Sequence, residues 1–167
     1  MDKSRFRKMK KALILLSLSI FVGVSFGQEQ ETPDYCTSSE TKKKIKPMLD
    51  TYSYDASKAT KITFKDKPQL KELEIPLFIG EKYRFVFSKE GLPENVDIEV
   101  WDHKFEAKHR ELLFTSKDFP DDQVEYTWDP EKSKKMYINY KIPPTSDEIK
   151  KGCVVFVLGY LTKGAGK

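Results

Sequence analysis

Cys153–Leu161 reads CVVFVLGYL, nine residues without a charged side chain. Successive side chains of a β-strand point to opposite faces, so a strand with one wet face alternates apolar and polar residues. Here both faces are apolar. That predicts a strand covered on both sides, in the middle of a packed structure rather than at its edge. Upstream of it, a period of two recurs segment after segment. Thr60, Ile62 and Phe64 alternate with Lys61, Thr63 and Lys65, and Leu73, Ile75 and Leu77 alternate with Glu72 and Glu74. Pro76 limits the second of these segments to an edge or a bulge, because proline cannot donate to a ladder. A turn at Ile79-Gly80-Glu81, read as a hairpin, leads into Tyr83, Phe85 and Phe87.

Beyond the loop Gly91-Leu92-Pro93-Glu94-Asn95, Val96, Ile98 and Val100 alternate with Asp97 and Glu99. Leu112–Thr115, Val124–Trp128 and Met136–Ile142 complete the set, separated by the polar segment 102–110 and by turns at 118–122 and 129–130. Eight short strands at roughly ten-residue spacing predict an all-β fold, an antiparallel β-sandwich, with a closed barrel as the alternative. Thr37–Leu49 reads as a short helix of about two turns, capped by Ser38 or Ser39 and interrupted by Pro47. Its Lys42, Lys43, Lys44 and Lys46 read as a solvated face.

The chain has 167 residues and opens on a different grammar. A Lys/Arg-rich start, Met1–Lys11, precedes a 15-residue apolar run, Ala12–Phe26, and small residues at Ser25 and Gly27 stand before the polar Gln28. This is the pattern of a cleaved, Sec-type secretory signal peptide. The run is short of the roughly 20 apolar residues that a membrane span needs. No cysteine stands at the cleavage point, which argues against lipidation. The expected organisation is a leader at 1–27, a polar lead and short helix at 28–58, the sandwich at 59–161 and a loose tail at 162–167. The implied location is the periplasm or the exterior, with no stable membrane span after cleavage.

Removing the leader removes the basicity. Residues 1–27 hold six of the 30 Lys and Arg and one of the 26 Asp and Glu, which leaves 24 against 25, a net charge near −1. A basic footprint is the first requirement of a nucleic-acid binder, so nucleic acid is not an expected partner. About 140 residues suit one domain with a real core. Export also changes how the two cysteines read, because in an oxidising compartment Cys36 and Cys153 most simply form one disulfide. Two buried thiols are the alternative.

Catalytic signatures are thin. His103 and His109 share one charged segment with Asp102, Glu106 and Glu111, but a spacing of six fits neither a helix face nor a short ligand loop, and a solvated loop is the better reading. The carboxylate pairs Glu72/Glu74, Asp97/Glu99 and Asp121/Asp122 read as solvent faces and a turn. The turns at 118–122 and 129–131 lack the spacing of a calcium loop. No G-x-S-x-G, H-E-x-x-H or P-loop occurs. No catalytic residue, metal or cofactor is assigned. The aromatics are the better lead: Trp101 alternates onto the face opposite Val96, Ile98 and Val100, and Tyr137 onto the face opposite Met136, Ile138 and Tyr140. Exposed, such rings form a ligand surface for sugar or peptide. Covered by a helix or a long loop, they are ordinary core. Trp128 shares a face with Val124 and Tyr126 and is expected in the core.

At Gly80–Pro93 (GEKYRFVFSKEGLP), Val96–Asp102 (VDIEVWD) and Gly152–Tyr160 (GCVVFVLGY) the chain resembles small exported β-rich proteins of Bacteroidota-type bacteria. Its layout is similar to prepeptidase C-terminal and Golgi-dynamics sandwich domains, which are accessory or interaction modules. The resemblance implies a non-enzymatic, exported interaction or envelope-associated protein with an unidentified protein or glycan partner. A carbohydrate- or peptide-binding module using Trp101 and Tyr137 is the second expectation, and a small secreted hydrolase the third.

Overall fold

Among the described residues one short helix and then eight strands follow in chain order, as the sequence predicts. The computed structural model describes Cys36 and residues 38–93, 95–145 and 150–161; the proposed leader, the lead at 28–35 and the tail at 162–167 lie outside the described residues. Helix α1 (Ser38–Ile45) tightens into a 3-10 turn at Lys46–Leu49, where Pro47 removes a backbone donor. The strands are β1 (Ser53–Thr63), β2 (Gln69–Ile75), β3 (Lys82–Ser88), β4 (Asp97–Trp101), β5 (Leu112–Thr115), β6 (Glu125–Trp128), β7 (Met136–Ile142) and β8 (Lys151–Leu161). β1 starts six residues before the expected boundary at 59. Its first half is exposed, including Tyr54 and Ala56, which alternate with Ser53 and Asp55; it is held by backbone pairing, with Ser53 opposite Tyr160.

The strands form two antiparallel four-stranded sheets, ordered β1-β8-β3-β6 and β2-β7-β4-β5. β1 pairs with β8, β2 with β7, β3 with β6 and β4 with β5. The chain is thus one long ribbon folded back on itself and then rolled, so that β8 also meets β3 and β7 also meets β4. That order is a jelly roll, a sandwich of two interlocked Greek keys. The Ile79–Glu81 turn exists, but it is not a hairpin. β2 and β3 lie in different sheets, and the turn carries the chain across one end of the sandwich.

Between the sheets lies the main core, centred on Phe85, Phe87, Phe114 and Phe156. Phe87 stacks on Phe114 of the opposite sheet at 5.7 Å and on Phe156 at 5.2 Å, so the ring cluster joins the two sheets. Trp128 packs on this cluster as expected, 5.3 Å from Phe85 and 5.7 Å from Phe114. β8 explains its own composition. Val154, Phe156 and Leu158 face this core, while Cys153, Val155 and Val157 face a second apolar cluster under Ile45 and Leu49. The helix layer is tied down covalently by the Cys36–Cys153 disulfide, whose Cα atoms lie 5.3 Å apart. It is also tied by Arg84, which donates to both carboxylate oxygens of Asp129 at 2.8 Å and stacks on Tyr52 at 4.5 Å. A Cβ at Gly159 would come within 2.7 Å of the Leu49 side chain, so glycine is what lets this layer sit so close to β8. No helix among the described residues is long and apolar enough to cross a membrane.

Candidate functional site

The second sheet turns its other face outward, and alternation decides what stands on it. Cross-strand register sets Lys141 beside Asp97, Asn139 between Glu72 and Glu99, and Tyr137 beside Trp101. The two aromatics singled out from sequence are therefore direct neighbours on one face. Neither is a bare platform, for both are half-buried.

The cover over Trp101 comes from the β4–β5 connection, residues 102–111, which folds back across the sheet as a strap. Its neck is closed by the Asp102 N–H donating to the Glu111 carbonyl at 3.2 Å and the Glu111 N–H donating to the Asp102 carboxylate at 2.6 Å. Farther along, the Phe105 N–H donates to Glu72 at 2.8 Å, and Asn139 donates to the same carboxylate at 3.1 Å. Arg110 lies 3.9 Å above the Trp101 ring and 5.3 Å from the Phe105 ring, and it donates to Asn139 at 3.2 Å and to the Phe105 carbonyl at 3.3 Å. One face of Trp101 is thus already occupied by a guanidinium, a contact worth about 0.5–2 kcal/mol depending on how dry it is. The indole N–H donates to Glu99 at 2.9 Å, and Lys141 donates to the other Glu99 oxygen at 2.6 Å.

Beside the strap the face opens into a groove of ≈ 600 Å³. Phe105, Leu70, Pro68 and Pro143 line its apolar side, and Asp97 and Lys141 stand in its polar part. Lys141 is held by Glu99 at 2.6 Å and Asp97 by Lys117 at 3.0 Å. Phe105 remains 54% exposed, which leaves its ring available to an occupant.

The other sequence candidates scatter. His103 pairs with Asp102 at 2.8 Å and His109 is exposed, and no cluster of three metal-capable side chains forms among the described residues. Glu74 pairs with Lys135 at 2.7 Å, and Asp121 and Asp122 are exposed in a turn, in line with their reading as solvated groups. Glu99 departs from that reading. It is only 5% exposed, drawn in by Trp101 and Lys141. Sequence reasoning missed Phe105, Arg110 and Asn139. The polar segment 102–110 holds the first two and reads as an ordinary solvated loop.

Asp102 is the electrostatic pin of the strap. Burial works to raise its pKa, but the Glu111 N–H, His103 and Lys134 together outweigh it and hold the carboxyl at about 2. A carboxylate depressed in the folded state stabilises above its ordinary pKa of 3.8, and that contribution is withdrawn as the pH falls toward 2. The strap is therefore expected to loosen between about pH 4 and pH 2, with Asp102→Asn already loose at neutral pH. Fluorine NMR of 5-fluorotryptophan-labelled protein reads this at Trp101 separately from Trp128. A Trp101 signal that titrates identically in wild type and Asp102→Asn would refute the assignment.

No protein-family model matches the chain, and no curated protein matches it. What bears on function is therefore the strapped face itself.

Proposed function

We propose that the protein is an exported, non-catalytic binding module that takes an extended segment of a protein partner into the groove beside the 102–111 strap. The observation that carries this reading is the pairing of a half-exposed ring, Phe105, with a ≈ 600 Å³ groove that has an apolar side and ion pairs in its polar part. Ligand grooves combine mostly apolar lining with a few fixed polar groups in this way. Phe105 replaces Trp101 as the contact ring, because Arg110 already covers Trp101. The jelly-roll scaffold suits such a role but hosts many others, so it adds only an analogy. Export is supported by the Cys36–Cys153 disulfide, a bond that persists in oxidising compartments.

The test is site-specific photocrosslinking in the producing cell. Benzoyl-phenylalanine in place of Phe105 is expected to trap a discrete partner, while the same group in place of Thr127, exposed on the other sheet, traps none. No adduct at 105, or the same adducts from both positions, would overturn the reading. A glycan partner shows itself differently, by soluble oligosaccharides shielding the indoles from iodide.

A further inference from the structure

Phe78 and Ile79 are 78% and 90% exposed, adjacent, and at the tip of the crossing between the sheets. The tip is built rather than loose. The Glu81 N–H donates to the Phe78 carbonyl at 3.3 Å, and Gly80 takes a φ of 86°, so Phe78–Glu81 form a β-turn with glycine where positive φ is required. The Phe78 N–H donates to the Tyr83 hydroxyl at 3.3 Å, and the Ser133 hydroxyl donates to the Glu81 carbonyl, which brings the 129–135 loop alongside. The fold therefore holds two large apolar side chains out into solvent on a braced turn, where neither packs on the core.

We propose that this end of the sandwich docks on a phospholipid surface, with Phe78 and Ile79 entering the acyl boundary and Lys82 and Lys132 lying at the level of the headgroup phosphates. Size argues for lipid over protein: a stable protein interface takes about 800 Å² and 20–30 residues from each partner. A convex two-residue tip offers far less, whereas a fluid bilayer closes around whatever enters it. Charge agrees. Lys82 and Lys132 flank the tip, are exposed, and form no ion pair among the described residues, while the neighbouring Lys134 and Lys135 are engaged by Asp102 and Glu74. Glu81, in the turn itself, and Glu131 balance the two lysines, so the apolar pair supplies the attraction and the lysines the contact with phosphate. Apolar side chains in the interface with lysines at headgroup level is the arrangement of reversible peripheral binding. This contact is independent of the groove. Phe105 lies on the sheet face and the tip at the end of the sandwich.

Co-sedimentation of the protein purified from its producing cell with vesicles of phosphatidylethanolamine and phosphatidylglycerol tests the proposal. Binding is expected to be weak and salt-sensitive, and to fall about tenfold in the Phe78→Ser/Ile79→Ser double variant. Because both side chains are exposed, that variant should keep the wild-type thermal midpoint and the Phe105 crosslink. A Phe78→Trp variant should shift its emission to the blue on the same vesicles. Equal sedimentation of wild type and double variant, or an unshifted emission from Phe78→Trp, would sink the proposal. So would loss of the exposed tip into self-association at the same protein concentration. Undiminished binding to phosphatidylcholine vesicles would overturn the role given to Lys82 and Lys132.

Discussion

Phe87→Ala should cost about 3–5 kcal/mol, the range for deleting a buried phenyl ring. The side chain is fully buried, and its ring touches Phe85, Phe114 and Phe156, so its loss leaves a cavity at the point where the sheets meet. Domains of this kind hold only about 5–15 kcal/mol in total, so the variant should sit near the edge of folding. Phe87→Leu refills part of the space and should lose clearly less. Denaturant unfolding at unchanged slope measures both. An alanine variant within about 1 kcal/mol of wild type would mean that the sheets are not joined through these rings.

The second large effect is expected at the disulfide. Cys36→Ser/Cys153→Ser removes a cross-link spanning 117 residues and should cost about 2–5 kcal/mol. The loss falls first on the helix layer. There the packing of Ile45 and Leu49 on Val155 and Val157, the Arg84–Tyr52 stack and the Lys44 ion pairs then hold α1 and the 3-10 turn without a covalent tie. Reducing agent should bring wild type down to the double variant and leave the variant unmoved. A wild-type midpoint indifferent to reductant would refute the claim that the bond carries stability.

Much of the fold was legible because burial leaves a local signature. Alternation located six of the eight strands, a short apolar run located β5, and the two-sided apolarity of Cys153–Leu161 placed β8 between two clusters before its partners were known. The first half of β1 was illegible for the converse reason. Its residues 53–56 are all exposed, the Tyr54/Ala56 alternation is too short to mark a strand, and β8 beside them holds them in one. The jelly-roll order was equally out of reach, since pairing β1 with β8 or β2 with β7 joins residues far apart in sequence. The site was half legible. Alternation put Trp101 and Tyr137 on one outward face, and they are neighbours there. That the polar stretch after β4 would lay Arg110 over one of them depends on tertiary contacts with Asn139 and Glu72, which no local pattern encodes.

The nested pairing of the ribbon also bears on how the chain could be re-cut. Ser53 faces Tyr160 across the outermost pair, so the start of the first strand and the end of the last lie one strand spacing apart. The helix-bearing segment before Ser53 begins at Cys36, bonded to Cys153, so a linker from residue 161 must run back over the eight residues of β8 that separate Leu161 from Cys153. With that span provided, an exposed loop tip tolerates a new opening. Joining residue 161 to the helix-bearing segment by a linker and opening the chain within the exposed Asp121–Asp122 turn would keep every strand pair. A circular permutant of that design would carry the strap, the groove and the apolar tip unchanged on a chain that begins in the middle of the present one.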